Sequence, residues 1–198
     1  IIQKGNAVIE QQGEEKVSVE GLDVFSYDVV KTGDGRTAIE FVDETRVDVT
    51  EHSKLIIDEF VYDPANDLGS ISIKASLGTI RYASGQIAKN YAQNVNIKTP
   101  TATIGVRGTD FSMTVDEIGG STIILLPSCD TKGNCYVGEI DVTSDAGQVI
   151  LNQAFQATVV STSESRPMQP VILNLDEQQI GNLLIIQKPK EIAEQQSK

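Results

Sequence analysis

The sequence has one histidine, His52, two cysteines and no tryptophan among its 198 residues. A Ser-His-Asp or Cys-His catalytic group would have to use His52, and a zinc site would have little besides this imidazole, two thiols and carboxylates. No run of about 18 apolar residues occurs, which argues against a membrane-spanning helix. We therefore expect no enzymatic activity, no metal and no cofactor.

Basic residues are scarce as well. The chain carries 16 lysines and arginines against 28 aspartates and glutamates, for a formal net charge of −12. A surface of this sign repels phosphate backbones, so we expect no binding to nucleic acid. The partners that remain are other protein subunits, in a homo- or hetero-oligomer.

Helix-forming residues are few: 11 leucines and 12 alanines stand beside 41 isoleucines and valines. β-branched side chains lose χ1 freedom in helices and pack well on pleated sheets. Side chains also alternate with a period of two: Thr37, Ile39 and Phe41 point one way, and Arg36, Ala38 and Glu40 point the other. About a dozen such short runs recur along the chain. The pattern predicts a mostly β fold, which is a sandwich, a roll or a β-solenoid, over residues 1–160.

The C-terminal part differs in character. Residues 161–170 are rich in Ser, Thr and Pro and are predicted to be a linker, followed by a short helix and a polar tail over residues 171–198. Asp176 and Gln179 have the spacing of a helix capping box. Ile180, Leu183 and Leu184 then fall on one helical face, which we expect to contact a partner.

Cys129 and Cys135 flank a polar tip between two strand-like runs. Their spacing fits neither a redox C-x-x-C pair nor a zinc site, and a disulfide closing a small hairpin loop is favoured over two free thiols. A disulfide indicates an oxidising compartment, which for this chain means the periplasm or cell envelope, or a virion surface.

Residues 96–115 read NIKTPTATIGVRGTDFSMTV. This run resembles the signature of the FecR domain family, close to T-P-T-A-x-x-G-V-R-G-T-x-F, and the likeness extends over about residues 5–160. The residues that carry it are Thr99, Pro100, Thr101, Ala102, Gly105, Val106, Arg107, Gly108, Thr109 and Phe111.

The signature is predicted to be structural. Pro100 suits the end of a strand because it fixes φ and lacks an amide donor. Gly105 and Gly108 allow a bulge or sharp bend, and Arg107 between them could hold that bend through carbonyls or a carboxylate.

The resemblance implies regulation, since members of the family include inner-membrane sensors that pass a signal from an outer-membrane transporter to a sigma factor. The chain begins at Ile1 without a signal peptide, so we expect it to be a piece of a longer protein. It shows no cytoplasmic anti-sigma segment and little sequence after residue 170 for a transporter-contacting domain. Our first expectation is therefore a non-enzymatic scaffold module, such as a phage tail or baseplate component. The second is an extracytoplasmic sensing or regulatory domain of a bacterial envelope protein.

Overall fold

A computed structural model of the chain describes residues 2–4 and 7–183, and this part is mostly β, as predicted. The two helices among the described residues are α1 (Gln86–Asn90) and α2 (Glu177–Leu183), with single 3-10 turns at Pro64–Asn66 and Ala92–Asn94. The strands are β1 (Ile2–Lys4), β2 (Ala7–Gln11), β3 (Glu14–Val17), β4 (Val29–Thr32), β5 (Arg36–Glu40), β6 (Arg46–Val49), β7 (Lys54–Asp63), β8 (Leu68–Ala83), β9 (Val95–Lys98), β10 (Thr103–Arg107), β11 (Asp110–Val115), β12 (Ser121–Leu126), β13 (Ser128–Cys129), β14 (Cys135–Tyr136), β15 (Glu139–Ser144), β16 (Gly147–Leu151), β17 (Gln156–Val160) and β18 (Val171–Ile172).

The strands form two large sheets that share strand β8. Sheet 1 has the order β3-β2-β4-β7-β8-β9-β10-β15-β16, and sheet 2 has the order β1-β5-β6-β8-β11-β12-β17-β18. The pairing of β8 with β9 is parallel, and the other pairings in the two sheets are antiparallel within the described residues. The buried side chains of both sheets pack in a single hydrophobic core. Of the predicted architectures, a sandwich therefore describes the fold best.

Strand β8 changes sheets at Gly78. It pairs with β7 as far as Leu77 and with β11 from Gly78 onward. Gly78 has a φ of 79°, and a Cβ at this position would collide with Ser53. Only glycine meets both demands, because it tolerates positive φ and lets two backbones approach closely. A strand that bends from one sheet into the other is the usual way to make the corner of a sandwich.

The chain returns from sheet 2 to sheet 1 through α1, which the sequence analysis did not predict. Five residues are too few to show helical periodicity. Buried Asp43 satisfies the start of the helix, since its Oδ2 accepts from the Ile87 amide at 3.1 Å and its backbone carbonyl accepts from the Gln86 amide at 2.7 Å. The crossover places β9 beside β8 in parallel register.

Residues 161–170, predicted as a linker, run back along β17. The Met168 amide donates to the Val159 carbonyl at 3.0 Å, and the Thr158 hydroxyl donates to the Met168 carbonyl at 2.6 Å. Strand β18 then extends sheet 2. The division at residues 160 and 170 stays a prediction.

The predicted C-terminal helix and its capping box are confirmed. The Gln179 amide donates to Asp176 Oδ1 at 2.8 Å, and Gln179 Oε1 accepts from the Asp176 amide at 2.9 Å. Ile180 is half-buried and Leu183 ends the described helix, whereas Leu184 lies outside the described residues. Neither α1 nor α2 has the length and apolar character needed to cross a membrane, and these are the helices of the described part.

Candidate functional site

The signature segment makes a hairpin in sheet 1 and then enters sheet 2. β9 and β10 are joined by the turn at residues 99–102, in which the Thr99 amide donates to the Ala102 carbonyl at 2.8 Å. After β10 the chain bends at residues 108–109 and continues as β11, between β8 and β12 of sheet 2. The signature therefore carries the chain from sheet 1 into sheet 2.

A buried network of three hydroxyl groups ties this hairpin to sheet 2. Thr101 Oγ1 lies 2.7 Å from Ser121 Oγ and 3.0 Å from the carbonyl oxygen of Val160. The Ser121 hydroxyl also lies 2.7 Å from Thr99 Oγ1 and donates to it. All three side chains are buried, so each hydroxyl lost here would leave a polar partner unsatisfied. Thr99 and Thr101 of the signature thus help to hold the two sheets together.

The proline and the two glycines of the signature occupy different places. Pro100 is exposed in the hairpin turn, next to the turn that contains Gly119. Gly108 has a φ of 59° at the bend between the sheets. Gly105 lies in regular register opposite Asp141, where a Cβ would make an ordinary contact at 3.7 Å. The bend thus rests on Gly108, with Gly105 inside a continuous strand.

Arg107 reaches a carboxylate across the strand pair but stays at the surface. Its Nη1 lies 3.0 Å from Glu139 Oε1, and the Arg107 side chain is 74% exposed. Exposed ion pairs of this kind contribute less than about 1 kcal/mol. Arg107 therefore contributes little to the stability of the bend, and its buried neighbours contribute more.

Thr109 and Asp110 form the buried inner side of the bend. The Thr109 hydroxyl donates to the Leu126 carbonyl at 3.1 Å, and the Thr109 carbonyl accepts from the Ser84 hydroxyl at 2.5 Å. Asp110 Oδ1 accepts from the Ser84 amide at 3.2 Å. Burial raises the pKa of Asp110 to about 6, although the hydroxyl of Ser128, the Ser84 amide and the charge of Lys89 oppose the rise.

Phe111 completes the signature in the core. It is fully buried and packs against Tyr82 with ring centroids 5.2 Å apart. Burial also raises the pKa of the Tyr82 phenol, because the phenolate would lose its hydration. Phe111 is one of the signature residues that the sequence predicted. Ser121 and Asp43 were not predicted, because they lie outside residues 99–111 and carry no motif of their own.

The predicted disulfide between Cys129 and Cys135 is confirmed. The two residues are paired in the small separate hairpin of β13 and β14, whose turn is held by Asp130. Strand β15 begins just after this hairpin, and Gly138 there lies against the carbonyl of Arg107. The disulfide hairpin therefore stands beside the bend of the signature.

Two solved structures share the fold. Both are crystal structures of a "putative anti-sigma factor" from Parabacteroides distasonis, at 12% identity with TM-scores of 0.51 and 0.50. The matches cover 71% and 70% of this chain, and the chain spans only 57% and 56% of the solved ones. No curated protein matches the sequence.

The model of the family described as "FecR protein" matches residues 28–126, which is half of the chain. The resemblance carried by residues 99–111 is thereby confirmed. The expectation of a phage tail or baseplate component is wrong, because the chain matches the FecR family and the solved structures that share its fold are described as putative anti-sigma factors. That expectation rested on missing segments, which say little about a chain that spans little more than half of its solved relatives. The chain belongs to the FecR family.

Proposed function

We propose that this chain is the extracytoplasmic sensing or regulatory domain of a bacterial envelope signalling protein. The observation that carries the proposal is the FecR family match over residues 28–126, which includes the whole signature. The fold shared with the solved anti-sigma candidates supports it. In this role the domain receives a signal by contact with one protein and changes the activity of another.

The disulfide supports the compartment. Cys129 and Cys135 are bonded, and Cys135 is exposed at the tip of a hairpin. Glutathione and thioredoxin keep such accessible pairs reduced in a cytosol, whereas periplasmic pairs stay oxidised. This chemistry supports an envelope location outside the cytoplasm.

We also propose that the domain acts without catalysis. His52 lies on an exposed turn with its Nε2 3.2 Å from Asp34 Oδ1, and both thiols are held in the disulfide. The buried carboxyl of Asp110 accepts a hydrogen bond from the Ser84 amide at 3.2 Å. His52, the two cysteines and Asp110 thus make structural contacts, as we expect of a binding domain.

The test is an in-frame deletion of the codons for residues 28–126 from the native gene. Transcripts of the neighbouring genes are then measured against the parent strain and against a strain complemented with the intact gene. A regulatory domain predicts a change of several-fold that complementation reverses. Unchanged transcripts under both inducing and non-inducing growth would contradict the proposal.

A further inference from the structure

Two aromatic side chains are displayed on the segment between β3 and β4. From residue 21 to residue 28 the side chains alternate strictly between exposed and covered. Leu22 and Val24 pack against the core, whereas Phe25 and Tyr27 on the other side are 62% and 81% exposed. Large aromatic groups are normally covered, so the informative fact is that this pair is left in water.

The segment is fixed in place rather than loosely attached. Buried Asp28 accepts two hydrogen bonds at Oδ2, from Gln11 Nε2 at 2.6 Å and from the Phe25 amide at 2.8 Å. The Tyr27 amide donates to the Ile57 carbonyl of β7 at 2.5 Å. The aromatic side chains are thus presented by a backbone that is already ordered, which lowers the entropy lost when a partner binds.

The backbone of Tyr27 is strained. Its φ is 74°, a value that bulky residues rarely adopt. Phe155, with a φ of 62°, is the other aromatic residue in this region of φ within the described part of the chain, but its side chain is half-buried. Strain at an exposed aromatic residue has no packing to offset it, and strain of this kind clusters at functional sites.

Acidic residues border the aromatic pair. Residues 7–28 contain a single cation, Lys16, whose Nζ donates to Gln11 Oε1 at 2.8 Å. The exposed acidic residues of this stretch are Glu14, Glu15, Glu20 and Asp23, of which Glu15 is paired with Lys31 of β4 at 3.2 Å.

We propose that residues 20–27, here called the aromatic loop, form a docking surface for a partner protein whose contact patch is apolar and bordered by lysine or arginine. Exposed aromatic groups supply most of the binding energy of such contacts, and the acidic border selects a partner of opposite charge. The same border disfavours a second copy of this chain. The assignment of this surface to signal transfer rests on the proposed function. The family match begins at residue 28, so the contact is a feature of this chain outside the matched region.

The experiment selects binders from a displayed library of random 16-residue peptides on the purified full chain. Three further targets are used in parallel: Phe25→Ser with Tyr27→Ser, a charge reversal of Glu14, Glu20 and Asp23 to Lys, and a control with Val42→Ser and Ile118→Ser. The control removes two apolar side chains that are as exposed as the aromatic pair but lie elsewhere.

The proposal predicts cationic peptides with apolar centres that bind the wild-type chain and the control equally. Their affinity falls at least about tenfold on the aromatic variant and on the charge-reversed variant. No enrichment, acidic peptides, or equal binding to the aromatic variant would overturn it. A wild-type dimer in sedimentation that the aromatic variant lacks would also overturn it, because the occupant would then be a second copy. These readouts do not involve transcription, so they fail independently of the proposed function.

Tyr27→Gly separates binding from folding. Glycine relieves the strained φ, so the melting temperature is expected to stay the same or rise while peptide binding falls. A lower melting temperature would show that Tyr27 is kept for the fold, which contradicts its assignment to the docking surface.

Discussion

The hydroxyls of Thr101 and Ser121 lie 2.7 Å apart in the buried space between the two sheets. Thr101 belongs to the hairpin turn of sheet 1 and Ser121 begins β12 of sheet 2. The signature of the family therefore includes one half of a contact between sheets, and the other half lies 20 residues further along the chain.

Thr101→Val removes this contact without changing the size of the side chain. The carbonyl of Val160 and the hydroxyl of Ser121 each lose a partner, and we expect the free energy of unfolding to fall by about 1–3 kcal/mol. The measurement is urea denaturation followed by circular dichroism.

Two variants of the same hairpin serve as controls. Thr103→Val changes an exposed threonine, and Arg107→Ala removes an exposed ion pair. Each is expected to change the unfolding free energy by less than about 1 kcal/mol. If Arg107→Ala lowered the free energy of unfolding as much as Thr101→Val does, Arg107 would be a main stabilising residue of the bend, contrary to this account.

Gly78→Ala tests the corner of β8. The added Cβ collides with Ser53, and alanine also disfavours the φ of 79°. We expect a loss of at least about 2 kcal/mol in the free energy of unfolding. Gly13→Ala is the matched control, since Gly13 has a φ of 85° but no atom within 4 Å of the added Cβ. Equal losses for the two variants would mean that the close approach to Ser53 is unimportant.

Asp110 is expected to make stability depend on pH. Its pKa is about 6 in the folded chain because of burial and near 4 in the unfolded chain, so the folded state binds more protons between these values. Stability from this group is therefore lost as pH rises from about 4 to about 6 and is constant above that.

The comparison is between the wild-type chain and Asp110→Asn at pH 4.5 and pH 7.5. We expect the variant to gain about 2 kcal/mol relative to the wild type over this interval, because asparagine keeps an acceptor for the Ser84 amide and carries no charge. Parallel pH profiles of the two proteins would show that Asp110 is not the buried acid responsible.

Removal of the disulfide by Cys129→Ala with Cys135→Ala is expected to lower the free energy of unfolding by about 2 kcal/mol, as loop entropy gives for so short a loop. The wild-type chain should show no reactive thiol after denaturation and two after reduction. Thiol trapping in intact cells tests the compartment. Two free thiols there would indicate a reducing location and contradict the envelope assignment.

Local patterns predicted the local features. The excess of isoleucine and valine predicted the β fold, and Asp176 with Gln179 predicted the cap of α2, because both signals arise from neighbouring residues. The spacing of Cys129 and Cys135 predicted their bond in the same way. Residues 99–111 were found through a resemblance, and their chemistry alone did not reveal the contact with Ser121.

Features that join distant parts of the chain were not predicted. The alternation at Ile71 and Ile73 and that at Ile80 and Tyr82 predict two short strands. All four residues lie on one long strand, β8, which changes sheets at Gly78. The exposure of Phe25 and Tyr27 could not be predicted either. Alternation shows which residues share a side but not which side faces the core.

The most direct test of the regulatory role is RNA sequencing after rapid depletion of the full-length protein through a degradation tag. The account predicts that a small group of transcripts changes within minutes, before growth or envelope integrity is affected, and that the change is reversed when depletion stops. A transcript profile that stays constant until growth fails would contradict it, because the protein would then support the envelope without regulating expression.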